Sequence, residues 1–203
     1  MRTNEGKTEF LEWACAIEPL PGEADSGDAS VVQEFDHGIL LAVIDGIGHG
    51  KEAAEASRIA EEQLKLHAGE SVISLVQIAH EQLRSSRGVV MSLASINYQE
   101  RILTWIAVGN VVASLHALVD GKYRSSESVM LRGGMVGVQL PPLKAEVLPI
   151  HSGDLLVFAT DGIYPVVSLG VKFEAPISEI CQKTLHDYGK GSDDALVLAA
   201  RYL

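Results

Sequence analysis

From Val89 to Thr160 the chain offers one strand-length apolar segment after another, with no helical periodicity between them. "VVMSLASINY" and "RILTWIAVG" flank "QE". "VVASLHALV" and "KYRSS" flank Asp120-Gly121, and "KAEVLPI" and "DLLVFAT" flank "HSG". Parallel neighbours need a crossover of a dozen or more residues, whereas antiparallel neighbours need only a tight turn. This order therefore excludes a doubly wound parallel sheet and predicts antiparallel sheets joined by hairpins.

The flanking segments complete the layers. "EWACAIE" (12–18) reads as a strand, and "PLPGEADSGDAS" reads as a loop by its turn-forming composition. "VVQEF" and "GILLAVI" are strands separated by "DHG". Residues 50–67 carry Ala53, Ala56, Ile59, Ala60, Leu64 and His67 along one helical stripe. A second helix over "SVISLVQIAHEQLRSS" faces inward through Val72, Leu75, Val76, Ala79 and Leu83. A third covers Pro176 to Tyr188, and "ALVLAARYL" is the last strand. The expected fold is α+β, two antiparallel β-sheets sandwiched between helices. With no linker or low-complexity tract, the expectation is a single domain over 1–203 without a separate sensor domain.

Composition narrows the function classes. The formal net charge of −11 opposes general nucleic-acid binding, which needs a cationic surface. "MRTNEGKTEF" lacks the apolar region of a secretory signal, and no apolar run reaches membrane-span length, so no membrane partner and a cytoplasmic location are expected. Cys15 and Cys181 show no zinc-ligand spacing and read as small core residues. Trp13 and Trp105 sit in strand patterns and read as core anchors.

Chemistry concentrates at "AVIDGIGHGKEA" (42–53), where an apolar strand stops on Asp45 and glycines follow at 46, 48 and 50. The spacing G-x-G-x-G is not the G-x-G-x-x-G dinucleotide fingerprint. Gly46 to Lys51 is one residue short of a P-loop and lacks its hydroxyl. A metal corner fits better. Hard divalent cations take carboxylate and carbonyl oxygens, and glycine lets a carbonyl come close. Asp45 is a side-chain candidate and Gly46 a carbonyl candidate. "LLVFATDGI" (155–163) repeats the ending at Asp161. "GSDDA" adds Asp193 and Asp194 before the last strand, and "SGDA" adds Asp28 before an early one. Each Asp alone reads as a turn residue. Together they make an acidic cup with room for two ions, provided the strand ends converge. His49 is a candidate acid without a visible partner, and a structural role competes.

These pieces, "SGDAS" (26–30), "AVIDGIGHG" (42–50), "VGNVVASL" (108–115), "RGGMVGV" (132–138), "GDLLVFATDGI" (153–163) and "SDDALVLAARYL" (192–203), resemble the metal-dependent serine/threonine protein phosphatases of the type 2C (PPM) family, in family order. The D-G-x-G-H-G form is most similar to its SpoIIE-like branch. The resemblance implies the same layered fold and hydrolysis of phosphoserine and phosphothreonine with Mn²⁺ or Mg²⁺, two ions. It implies Asp45 bridging the metals, the Gly46 carbonyl on one, Asp161 and Asp193 or Asp194 on the other, and Asp28 acting directly or through water. It thus implies a catalytic set of Asp28, Asp45 and Asp161. Similarity to a short stress-signalling member implies phosphorylated STAS-domain proteins of the stressosome as partners and negative feedback on stress signalling. A module of the same fold that binds phosphoprotein but turns it over weakly is the alternative. The chain departs from the family pattern at Leu196, where threonine is common, and at Ile47, where the eukaryotic branch has histidine. It also has no arginine near "SGDAS" to match that branch's phosphate clamp.

Overall fold

The computed structural model describes residues 1–164 and 173–203, without the side chains of 125 and 126. Its elements run β1 (Arg2–Lys7), β2 (Leu11–Glu18), β3 (Asp28–Phe35), β4 (Gly38–Gly46), α1 (Lys51–Leu66), α2 (Val72–Gln82), β5 (Val89–Asn97), β6 (Ile102–Val108), β7 (Val112–Val119), β8 (Lys122–Ser128), β9 (Glu146–Pro149), β10 (Leu155–Ala159), α3 (Ile177–Tyr188) and β11 (Ala195–Tyr202). They build two antiparallel sheets, ordered β1-β2-β11-β10-β7-β8 and β3-β4-β5-β6-β9.

β4 shows why its sequence is apolar without alternation. Ile39, Leu41 and Val43 point into the layer between the sheets, beside Trp105, Phe158 and Leu198. Leu40, Ala42 and Ile44 point the other way, into a second layer with Ala56, Ala60 and Leu64 of α1 and Leu75 and Val76 of α2. Both faces are dry, so both parities must be apolar. β10 and β11 repeat the logic. Leu156, Phe158, Leu196 and Leu198 face the inter-sheet layer, while Leu155, Val157, Val197 and Ala199 face Ile180, Cys181 and Leu185 of α3. Each Val, Leu, Ile or Phe among them stabilises by roughly 1.5–3 kcal/mol when fully buried. Helices thus cover the outer face of each sheet, and the layered sandwich is as expected.

Three details differ from the expectations. β1, "RTNEGK", is a polar edge strand paired with β2 over its whole length. Its Gly6 lies under the Trp13 indole, 2.8 Å from where a Cβ would stand. Trp13 is only half-buried, whereas Trp105 is fully buried and its Nε1 donates to Glu146 Oε2 at 3.1 Å. Second, "HSG" is no hairpin. β9 pairs with β6 and β10 pairs with β7 and β11, so the chain changes sheets there. Third, β3 begins at Asp28, inside the segment expected as loop, because Asp28 is in register with Asp45.

Candidate active site

The strand directions bring the sequence-separated acids to one end of the sandwich. β4 ends on Asp45-Gly46 and pairs antiparallel with β3, which starts at Asp28. β10 ends just before Thr160-Asp161 and pairs with β11, which starts just after Asp193-Asp194. β6 and β7 meet at the same end through Gly109 and Asn110, since Val112 is opposite Ala159. A cleft of about 230 Å³ opens there, lined by Asp45, Gly48, His49, Asn110, Asp161 and Asp193. One wall comes from each sheet.

Close backbone approach makes the corner possible. A Cβ on Gly162 would stand 1.9 Å from the Asp194 carbonyl oxygen, so only glycine lets the Asp161 turn lie against the start of β11. A Cβ on Gly46 would stand 2.4 Å from the Ala53 carbonyl oxygen, so glycine lets the end of β4 touch α1.

The candidate acids differ in position. Asp45, Asp161 and Asp193 line the cleft. Asn110 Nδ2 donates to Asp161 Oδ2 at 2.9 Å and fixes that carboxylate. Asp194 is buried, and its two oxygens accept from the Leu20 and Gly27 backbone N–H groups, each at 2.8 Å. It ties the 19–27 loop to the site instead of lining the cleft. Asp28 is also buried, and its Oδ2 accepts from Thr160 Oγ1 at 2.8 Å. Thr160 Oγ1 in turn accepts the Leu196 N–H at 2.9 Å. The Leu196 side chain is in the inter-sheet core, so its departure from threonine leaves the cleft untouched. Gly46 does not line the cleft, and its carbonyl oxygen lies 3.5 Å from where a Cβ on Gly27 would sit. His49 reaches the rim, where its Nδ1 is 3.0 Å from Glu23 Oε1.

The electrostatics are those of anions short of counter-charge. Burial pushes the Asp45 carboxyl up to about 7, and the charges of Asp161, Asp193 and Asp194 add to it. Asp28 is raised well above the carboxylate range by burial and then by Asp45, against the lowering effect of the Thr160 hydroxyl. Like charges at close quarters produce this pattern. Among the described residues no three His, Cys, Asp or Glu side chains close on one point as a metal-holding group. The donor set is all oxygen, hard and anionic, and it fits a divalent cation of the Mg²⁺ or Mn²⁺ kind.

The sequence alone does not single out Asn110 and Thr160 as site residues. Asn110 had one signal, a Gly-Asn turn between two strands. Thr160 was visible only as the residue before Asp161.

Known proteins share this fold. The family model described as stage II sporulation protein E (SpoIIE) matches residues 36–203. The chain belongs to the SpoIIE family. Phosphoserine phosphatase RsbX of Bacillus subtilis (strain 168) is 31% identical over 144 residues, which is 70% of this chain and 69% of that protein. A crystal structure of RsbX in complex with magnesium superposes with a TM-score of 0.88 at 23% identity, covering 100% of both chains. A chain from work on the bacterial stressosome as a modular system adapted to control secondary messenger signalling gives a TM-score of 0.85 at 28% identity, covering 94% of this chain and 99% of that one. The SpoIIE-family chain is accordingly a phosphatase of the PP2C type, built on that fold.

Proposed function

We infer that the protein is a divalent-metal-dependent phosphatase of phosphoserine and phosphothreonine in proteins, with phosphorylated STAS-domain proteins of the stressosome as substrates. Removing those phosphates gives negative feedback on stress signalling. The observation that carries the chemistry is the meeting of Asp45, Asp161 and Asp193, from three separate stretches of chain, on one cleft. The similarity to RsbX and to the stressosome-related chain supports the substrate class.

Asp45, Asp161 and Asp193 would hold Mn²⁺ or Mg²⁺, two ions, with the Gly46 carbonyl as a further oxygen and Asp28 and Asp194 behind them. Such ions supply charge that lowers the pKa of a water and offsets the charge of a phosphoryl group. The chain does the rest. Asn110 holds the Asp161 carboxylate in orientation. Thr160 holds Asp28. Asp194 holds the backbone at Leu20 and Gly27. Gly48 and Gly50 leave room at the rim for Arg87 and Glu23, the side chains a Cβ at each position would meet. Leaving-group protonation would fall either to a metal-bound water or to His49, whose Nδ1 lies 3.0 Å from Glu23 Oε1 at the rim.

The test is turnover of a serine-phosphorylated STAS domain with Mn²⁺, Mg²⁺ or excess chelator. Turnover requiring metal, and abolished in Asp45→Ala and Asp161→Ala, is expected. Full activity in chelator would sink the reading. Tight binding without turnover in Mn²⁺ would favour the binding module.

A further inference from the structure

The acidic cleft, at about 230 Å³, has room for a phosphorylated side chain and little of the polypeptide that carries it. Immediately beside it runs a larger groove of about 740 Å³, lined by Lys51, Glu52, Ala56, Ile59, Ser85 and Arg87. One wall is the outer stripe of α1, and the other is the connector that leaves α2 for β5. The two depressions share a rim. Gly48 and His49 line the cleft, and the chain passes through Gly50 directly to Lys51 and Glu52 in the groove.

Arg87 marks the junction. Its Nη1 stands 2.9 Å from the point where a Cβ on Gly48 would be. The guanidinium thus occupies the space a side chain at 48 would take, and Gly48, at φ +90°, makes that room. Arg87 also pairs with Glu52 across the groove. Glu55 is already held by Arg58, at 2.7 Å and 2.9 Å. The groove therefore presents Arg87 already paired with Glu52, Glu55 held by Arg58, and Lys51 outside any ion pair among the described residues. Farther along, Ala56 and Ile59 give an apolar floor. With two cations and two glutamates the groove lining is formally neutral, beside an acidic cleft and on a chain of net charge −11.

We propose that this groove seats the polypeptide flanking the phosphoserine, with Lys51 and Arg87 meeting an acidic side chain next to the phosphorylated residue and Ile59 an apolar one beyond it. The proposal rests on the phosphatase reading above and adds a sequence preference to it. Charges at such a rim set which partner is admitted more than how tightly it is held.

The experiment uses three probes with Mn²⁺: p-nitrophenyl phosphate, a phosphoserine peptide with flanking Glu and a more distant Leu, and the same peptide with Lys in place of Glu. The unaltered enzyme is expected to favour the acidic peptide by about tenfold in kcat/KM, mostly through KM. Arg87→Glu inverts the preference. Ser85→Trp fills the groove from an exposed position and removes both peptide activities, while p-nitrophenyl phosphate turnover stays. Equal rates on the two peptides, an unchanged preference in Arg87→Glu, or equal losses on all three probes in Ser85→Trp would overturn the groove. No turnover of any probe by the unaltered enzyme would overturn the phosphatase reading, and the groove with it.

Discussion

Replacing Thr160 by valine removes one hydroxyl and little else, and the structure says what that hydroxyl holds. Its O–H donates to Asp28 at 2.8 Å and its oxygen accepts the Leu196 N–H at 2.9 Å. Asp28 and Leu196 are both buried, so neither recovers its partner from water. An orphaned buried N–H costs about 1–3 kcal/mol. Asp28 escapes the full penalty by taking a proton, since burial and the neighbouring Asp45 already push it upward, and its loss is held to about 1 kcal/mol. The sum is about 2–4 kcal/mol, and a chain of this size moves in Tm by about 2–4 °C per kcal/mol. Thermal unfolding in excess chelator should thus show Thr160→Val about 4–16 °C below the parent. Thr160→Ser, which keeps the hydroxyl, should stay near it. Metal-dependent turnover should fall with Val and survive with Ser. A Thr160→Val shift under about 1 °C, or a serine variant as damaged as valine, would refute the reasoning.

Asp45→Asn should abolish turnover and yet raise Tm at pH 8 in chelator, because it deletes a charge that its neighbours repel. The Asp45 carboxyl is raised to about 7 from 3.8, so the charge costs stability as pH climbs through that window. The gain should shrink as pH falls from 7 toward 3.8 and vanish only below that, where the carboxyl is protonated in both the folded and unfolded chain, as a series of melting curves would show. Asn110→Ala frees Asp161 and should weaken metal affinity by about tenfold or more, measured by calorimetric titration with Mn²⁺, with little change in Tm. Burial lowers His116 to about 4 from 6.5, and its Nε2 is 2.9 Å from the Ser114 hydroxyl. Its contribution is whole above the unfolded value and is lost as pH falls from 6.5 through 4. This amounts to about 3 kcal/mol. Asp45 and Asp28 titrate in the opposite sense, so the comparison is the difference between the parent and His116→Gln. Parallel stability curves from pH 7 to 4 would count against it.

The sequence spoke most clearly where a residue's role is set by its own strand. β4 is recognisable because both its faces are dry, and the matching endings at Asp45 and Asp161 are visible as text. Helical periodicity located α1 and α2 to within a few residues. What stayed hidden depends on partners distant in sequence. β1 is polar and becomes a strand only because β2 offers it an edge. The turn at "HSG" has hairpin composition, but which sheet each flanking strand joins is decided by β6, β7 and β11. Asp193 and Asp194 are neighbours in sequence and opposite in task. Only the backbone N–H groups of Leu20 and Gly27 show that Asp194 is turned away from the cleft. Asn110 and Thr160 carry no chemistry that sets them apart in text, and their meaning lies wholly in the carboxylate each one touches.

Because Asp45 hangs from one sheet and Asp161 from the other, the gap between them is set by a layer of hydrocarbon. Leu41, Val43, Phe158 and Leu198 act as shims between the two walls. Protein interiors are close-packed, so shaving one shim by a methylene transmits a shift instead of absorbing it. Alleles altered only in this greasy interleaf, far from any phosphate, should therefore appear in a genetic screen as catalytic lesions. Suppressors of a sluggish cleft should turn up there as well.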